Sequence, residues 1–547
     1  MTRTHPARLL LLLSVFLWKS CSCVFALSTH RRLACSRPSS PRAAAAYRNH
    51  LDDESLDIGS YIATCIPGLS DALSDELRTL GCQDVERSAS SAVRFNANTQ
   101  TALKALLWTR TSHKVMEFLC ESPPTLKSRE DLHRFILDAV PVKELLGDGR
   151  GGLLTLSVGV ILNNPSKIPK DINHSHYSAL TVKNALCDAV RELRDDRPNV
   201  DLDDPDVPLT AVLLGTDSGA RVSLYRQLHN GSLHKRGYRS GAIHKAAMKE
   251  SLAAGLLLTA GWDQKCRDAR REDDAVVLLD PMAGSGSLLL EGAMMAVDLA
   301  PGLMRIKCGL PGHSMPPVVR WKHDGDMRVV DEWKALLLDA TSRAKSGLRW
   351  MQSTDTVEIL GNDIHDGALN LFENALDAAG LRRLVQLEEG DCSDWKPKPK
   401  REGTPFIVVS NPPWGVRLTE DMSESWESMR IFLRECCPSG TEAWVLSGNA
   451  EATKHLGLRR SQSLALKTGD QDLRWLQYIL RDRSEILAEI EEKKSRRKDL
   501  NPYASKPAKR IQDTGRKNSS VPSKAKENFK QAERRRQAAI GNEWMID

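Results

Sequence analysis

The sequence is short of several features that would assign it quickly to a class. Only 5% of its 547 residues are aromatic, yet Trp (12) outnumbers Phe (9) and Tyr (7). No Cys-x-x-Cys pair occurs among the twelve cysteines, which removes zinc-ribbon and thioredoxin-like readings. No Gly-Lys-Ser/Thr closes a glycine-rich loop, and the glycine loop at 284–286 does not match Gly-x-Gly-x-x-Gly, so it reads neither as a Walker A loop nor as a dinucleotide fingerprint. Acidic residues are missing altogether from the first fifty positions, which hold eight Lys/Arg. What remains is ordinary for a multidomain globular chain: 41% hydrophobic and 27% charged residues exclude a collagen-like, wholly disordered or multi-span membrane protein.

The formal net charge of +6 sits entirely at the two ends. Residues 1–50 carry +8, residues 501–547 carry eleven Lys/Arg against five Asp/Glu, and the chain between them is acidic by eight charges. Overall basicity therefore says nothing about nucleic acid, and any such reading must rest on local patches. The N-terminal fifty residues join a short apolar run, 9–18, to a stretch rich in Arg, Ser, Pro and Ala. The first has a signal-peptide shape and the second a transit-peptide composition. With Phe25 near the junction, residues 1–50 are expected to be a targeting presequence for a plastid, or alternatively for a mitochondrion, leaving no membrane anchor in the mature chain. The nine cysteines beyond it are scattered, which predicts reduced thiols. His174 and His176 have no cluster of further ligands nearby, so no metal site is expected. Residues 491–547, rich in Lys, Arg, Ser and Pro, are expected to be a basic disordered tail.

Between these ends the pattern changes character twice. Residues 61–65 read as a strand, Ser70 opens a helix with Leu73, Leu77 and Leu80 on one face, 93–95 alternate as a strand, and 99–109 are helical again. This is a small α+β unit. A second follows, with a strand over 153–162, a helix over 177–193 and a hairpin of 209–214 with 221–225 around Thr216-Asp217-Ser218-Gly219. From a helix over 245–258 onward, apolar runs at 276–279, 357–360, 385–387, 406–409 and 444–446 read as buried parallel strands separated by helices, the pattern of a doubly wound α/β domain.

Four motifs fall at the ends of these strands. Asp280-Pro281-Met282-Ala283-Gly284-Ser285-Gly286-Ser287 follows the first strand and opens a helix, so its backbone can approach a ligand closely. Gly361-Asn362-Asp363 ends the second strand, where an acid can accept both ribose hydroxyls of a nucleoside, although Asp there could equally cap a helix. Gly390-Asp391-Cys392 ends the third, where Asp391 could accept from an adenine amine. Ser410-Asn411-Pro412-Pro413-Trp414-Gly415 ends the fourth. Its two prolines stiffen the turn and remove donors, leaving the Asn side-chain oxygen and a Pro carbonyl as acceptors for a planar exocyclic amine, with Trp414 a face for stacking. His234-Lys235-Arg236, with Tyr238, Arg239, His244 and Lys245, reads as a cationic patch with an interleaved aromatic, suited to a phosphate track.

These residues carry a resemblance. Asp-x-x-x-Gly-x-Gly is similar to the cofactor loop of class I S-adenosylmethionine methyltransferases. With 62–69, Leu106-Leu107-Trp108-Thr109-Arg110, Val182-Lys183-Asn184-Ala185, 201–206, Leu233–Arg239 and Asn411-Pro412-Pro413-Trp414, the chain over about 60–480 resembles the THUMP-domain RNA guanine-N2 methyltransferases of large-subunit ribosomal RNA. The resemblance implies a ferredoxin-like unit over 51–125, a THUMP RNA-binding domain over 126–228 and a Rossmann-like methyltransferase domain over 229–490. It implies S-adenosyl-L-methionine as cofactor, with Asp280, Pro281, Gly284, Ser285 and Gly286 at its methionine part, Asp363 at its ribose and Asp391 at its adenine. Asn411, Pro412, Pro413 and Trp414, with Trp where the family usually has Tyr, would form the catalytic motif, and His234, Lys235, Arg236, Tyr238 and Arg239 would meet the RNA. The implied substrate is ribosomal RNA, with transfer RNA, an adenine target, or an inert RNA-binding assembly factor as the alternatives.

Overall fold

The computed structural model describes residues 58–239, 248–321, 328–414 and 422–481, all within the compact unit Asp53–Asp547. The expected presequence, the basic tail, His244 and Lys245 lie outside the described residues.

Two seven-stranded sheets organise the chain. The first contains β1 (Gly59–Thr64), β2 (Gln83–Ala89), β3 (Ala92–Ala97), β4 (Lys114–Glu121), β5 (Leu156–Asn163), β6 (Val207–Thr216) and β7 (Gly219–Gln227), in the order β2-β3-β1-β4-β7-β6-β5. The sequence suggested two separate α+β units, but β4 pairs antiparallel with β7, from Met116–Gln227 to Glu121–Ser223, and fuses them into one sheet. Their cores remain distinct. Leu126 to Leu224, including Leu132, Ile136, Val182 and Leu186, form one cluster. Tyr61, Leu73, Leu77 and Phe95 instead join the core of the catalytic part, alongside Leu257, Leu278 and Trp475. The contact is close: the Pro67 carbonyl accepts from the Lys467 N–H at 3.1 Å, and a Cβ at Gly68 (φ +99) would lie 2.2 Å from the Ala465 carbonyl oxygen. Capping residues fix the helices of this half. Asn98 accepts from the Thr101 N–H, and Ser128 with Asp131 forms a reciprocal capping box that starts Arg129–Ala139.

The second sheet contains β8 (Val276–Asp280), β9 (Val357–Asp363), β10 (Gln386–Glu389), β11 (Phe406–Ser410), β12 (Glu442–Ser447), β13 (Arg460–Thr468) and β14 (Gln471–Ile479), in the order β10-β9-β8-β11-β12-β14-β13. β8 to β12 are parallel, and the terminal β13–β14 hairpin is antiparallel. Every residue of β8, β9 and β11 is buried, because helices cover both faces. Leu278, Ile407 and Val409 face one core, and Val277, Leu279 and Val408 the other, as the period of two requires. The strand order reverses between β8 and β11, which places a crevice at their carboxyl ends.

The junction between the halves is polar and buried. The Glu76 carboxylate accepts from the Arg110 and Thr111 N–H groups at 2.7 and 3.0 Å and from the Thr111 hydroxyl. Arg305 donates to the carbonyls of Leu106 and Leu233. Arg236 is wholly buried and pairs with Glu291 at 3.2 Å, and Tyr238 donates to the same carboxylate at 3.1 Å. Removing one partner of such a pair strands the other in a low-dielectric interior. Arg236→Met is expected to destabilise the protein by about 3–5 kcal/mol, and Arg236→Met/Glu291→Leu to recover much of the loss. Urea unfolding monitored by tryptophan fluorescence checks this, and an unchanged midpoint for the single variant contradicts it.

Candidate active site

All four strand-end motifs meet at the carboxyl edge of the second sheet, and hydrogen bonds join them. Asp280, 2% exposed, ends β8, and its Oδ1 accepts from the Ser410 hydroxyl at 2.8 Å and the Met282 N–H at 3.1 Å. Ser410 ends the neighbouring β11, so this bond ties the glycine loop to the Asn-Pro-Pro-Trp turn. Asp363 ends β9. Its Oδ2 accepts from the Gly284 N–H at 2.7 Å and its Oδ1 from the His365 N–H at 2.9 Å. Asn362 donates to the carbonyls of Pro281 (3.2 Å) and Gly390 (2.8 Å), and its own carbonyl accepts from the Ala283 N–H. Ser410 and Asn362 lie in motifs visible in the sequence, but their side-chain partners, up to 130 residues away, were not visible, and Ser428, which donates to Asp391, carried no signal.

Burial raises the Asp280 carboxyl from 3.8 to about 7; the Ser410 and Met282 bonds oppose the rise and the nearby Asp363 charge adds to it. Burial also disfavours the Asp391 charge, but the Ser393 N–H and hydroxyl and the Ser428 hydroxyl outweigh it and hold that carboxyl below its ordinary range. The site therefore keeps one carboxylate firmly charged and one close to the point of ionisation.

The glycine loop fits a cofactor of the expected shape. Gly284 (φ +55) and Gly286 (φ +74) need the left-handed conformation. A Cβ at Gly286 would sit 2.0 Å from the Phe372 ring, whereas one at Gly284 would enter open space above the loop. That space is a cradle free of side chains, bounded by Asp363. Each Asp363 oxygen accepts one bond and retains a further lone pair, so the carboxylate still fits ribose hydroxyls while clamping the loop. Pro281 gives its carbonyl to Asn362, and Ser285 stays half-exposed beside the cradle.

Two tryptophans hold the Asn-Pro-Pro-Trp turn. Trp414 donates from Nε1 to Asn411 Oδ1 at 3.1 Å, and its half-buried ring rests against Gly448, where a Cβ would come within 2.6 Å of it. Trp426, fully buried on the helix Met422–Ile431, donates to the Pro413 carbonyl at 2.8 Å. Among the described residues no donor reaches the Pro412 carbonyl. Asn411 Oδ1 with its second lone pair and Pro412 O are thus the acceptors left for a ligand.

The expected cationic patch is corrected by burial. Arg236 and Tyr238 lie in the core on Glu291, so neither can meet RNA directly. His234 hydrogen-bonds Ser232, and burial lowers its pKa to about 4, with the neighbouring cations adding to the fall, so it is neutral at physiological pH. Arg239 pairs with Glu250 and donates to the Met248 carbonyl and the Ser287 hydroxyl, on the helix that opens from the glycine loop. Lys235 alone of the five is exposed. Their partners come from distant segments, so the run reads as a charged surface in sequence although it forms an internal brace. His174 meets the exposed Tyr177 ring at a tilt and His176 meets it edge-on, and among the described residues no three His, Cys, Asp or Glu side chains form a metal-binding group.

The architecture is that of a class I methyltransferase carrying two N-terminal modules. Residues 60–116 match the RlmL ferredoxin-like domain, 168–217 the THUMP domain and 236–477 the RMKL-like methyltransferase domain. The chain thus carries, in this order, a ferredoxin-like, a THUMP and an RMKL-like methyltransferase domain. It is 32% identical over 425 residues to the ribosomal RNA large subunit methyltransferase K/L of Syntrophotalea carbinolica, covering 76% of this chain and 53% of that protein. It is 31% identical to the protein of that name from Pseudomonas putida strain W619, covering 82% and 56%. The chain thus spans about half the length of the curated relatives it matches. In fold it is similar to a possible methylase from Clostridium difficile 630 (TM-score 0.61, 20% identity, 78% of this chain and 99% of that one). It is also similar to TrmN from Thermus thermophilus (TM-score 0.50, 20% identity, 77% and 100%).

The raised Asp280 pKa has a stability consequence. Between about 4 and 7 the folded state retains a proton that the unfolded chain releases, so stability falls as pH rises through that interval. Asp280→Asn keeps an oxygen for Ser410 and Met282 without the charge. The stability difference, wild type minus variant, is expected to move against the wild type from pH 5 to pH 8. Denaturant unfolding across that range checks it, and a pH-independent difference contradicts it.

Proposed function

We propose that this protein is an S-adenosylmethionine-dependent methyltransferase acting on the exocyclic N2 amine of a guanine in large-subunit ribosomal RNA. The observation that carries the reading is a pair of acceptors, Asn411 Oδ1 with the lone pair that Trp414 leaves it and Pro412 O, fastened by the Asp280–Ser410 bond beside the Gly284 cradle. The THUMP match at 168–217 and the names of the curated relatives support an RNA substrate and the large-subunit target.

When bound, S-adenosylmethionine supplies a methyl group on a positively charged sulfur. Gly284, Ser285 and Gly286 would receive its methionine part, Asp363 its ribose and Asp391 its adenine amine. Asn411 and Pro412 accept the two N–H bonds of the guanine amine, which turns the nitrogen lone pair toward the methyl carbon. The new N–C bond would replace the donor's C–S bond, whose electron pair would stay with the donor. The nitrogen then carries the positive charge and loses a proton to water, so no strong base is needed beforehand. Positioning in a partly dry crevice supplies most of the rate.

Large-subunit rRNA lacking the modification, incubated with the full chain and isotopically labelled S-adenosylmethionine, is expected to yield N2-methylguanosine on nucleoside mass spectrometry. Asn411→Ala should lower the rate a hundredfold or more. A labelled nucleoside other than N2-methylguanosine, or full activity in Asn411→Ala, overturns the reading. We also propose delivery to a plastid, supported by the apolar run and the acid-free Arg/Ser/Pro/Ala stretch of residues 1–50. A fluorescent protein fused behind residues 1–60 should collect there, and accumulation in mitochondria or secretion would refute it.

A further inference from the structure

The Asn-Pro-Pro-Trp turn has an orientation problem. Two consecutive prolines lack N–H groups, so this stretch of backbone cannot fasten itself by donating hydrogen bonds. Its direction must be set through its carbonyls and side chains. The Asn411 amide poses the same problem in smaller form: rotated by half a turn, it would offer NH2 donors to an incoming amine, donor against donor.

Both ambiguities are resolved by indole N–H groups. Trp426 lies thirteen residues beyond Pro413 and is 0% exposed, packed in the core cluster with Met429, Phe432 and Leu433. Its single donor reaches the Pro413 carbonyl at 2.8 Å, a near-ideal length. With φ of Pro413 fixed by its ring, holding the Pro413 carbonyl inward limits how the preceding Pro412 carbonyl can turn. Trp414 Nε1–H meets Asn411 Oδ1 at 3.1 Å. A flipped amide would set NH2 against that N–H, so the indole selects the rotamer with oxygen available, taking one lone pair and leaving the other. Gly448, at the end of the adjacent β12, gives the indole its seat, since a Cβ there would lie 2.6 Å from the ring.

We propose that Trp426 and Trp414 are positioning residues for methyl transfer, acting through the Pro413 carbonyl and the Asn411 amide to aim both acceptors at the amine. For Trp414 this role is separate from any stacking on the base. The inference rests on the methyl-transfer reading above, and its tests compare variants with a wild type whose activity is measured first. A wild type that transfers no methyl to RNA counts against that earlier reading; the results below count for or against this one.

Trp426→Phe preserves an aromatic ring in the core and deletes the N–H. Its kcat is expected to fall ten- to a hundredfold, the scale of an ångström-level misplacement, with KM for RNA and the Kd for S-adenosylmethionine within about twofold of wild type. Site-specific benzothienylalanine at position 426, which has the indole's shape without its N–H, should lose kcat to the same extent and keep the wild-type unfolding midpoint. That variant decides the matter where Phe disturbs folding. Wild-type kcat in the benzothienylalanine protein overturns the assignment of Trp426. For Trp414 the readout is a double-mutant cycle. Trp414→Phe should lower kcat in the wild-type background but have little further effect in Asn411→Ala, because its partner is gone. Equal losses in both backgrounds show that Trp414 acts independently of Asn411 and overturn its assignment.

Discussion

A single hydrogen bond between two neighbouring parallel strands underlies the site. β8 and β11 are adjacent because the strand order reverses there, and each ends in the residue that bonds the other: Asp280 on one, Ser410 on the other, 2.8 Å apart. The residue after Asp280 enters the glycine loop, and the residue after Ser410 is Asn411. In the proposed reaction, methyl donor and methyl acceptor would therefore be referenced to the same buried bond. Its surroundings are dry enough to keep Asp280 near its point of ionisation, so the junction sits in the low-dielectric edge where electrostatic alignment counts most.

Other parts of the chain act to keep that edge fixed. Asp363 and Asn362 bind the glycine loop to β9 and β10, and Trp426 binds the Pro-Pro turn to a helix. On the far side, Glu291 follows the glycine loop on its helix and meets Arg236 and Tyr238 from the segment leading out of the first sheet. Arg239 reaches Ser287 on the same helix. The N-terminal modules are consequently not tethered loosely. One core runs from Tyr61 and Leu77 to Leu278 and Trp475, and the Asp204 and Asp206 carboxylates grip Arg320 at 2.9 and 3.1 Å. An RNA held by the THUMP domain would meet a catalytic edge at a set distance and angle.

How much of this was readable in the sequence depends on how local each requirement is. The strand-end motifs were legible because glycines with positive φ, paired prolines and fully apolar strands are demanded by nearby backbone alone, and the α/β order of the catalytic part followed from them. The capping box at Ser128 and Asp131 was legible too, yet the helix it starts went unassigned. β2 escaped because Gln83–Ala89 is an exposed edge strand with polar residues and no alternation. The fusion of two α+β units depends on β4 meeting β7 about 110 residues later, which no window of sequence displays. The cationic run at 234–239 was misread for the same reason: Arg236 looks like a surface charge until Glu291, fifty-five residues on, is brought against it. Trp426 carried no signal, since a tryptophan in a helix is ordinarily core and only its Pro413 contact says more.

The most direct test of this account is a crystal structure of the protein with S-adenosylhomocysteine and a guanosine-containing oligonucleotide. The account predicts sulfur over the Gly284 cradle and a guanine N2 about 3 Å from both Asn411 Oδ1 and Pro412 O, with room for one methyl group between nitrogen and sulfur. A cofactor bound away from the glycine loop, or a base whose amine turns from those two oxygens, would contradict it.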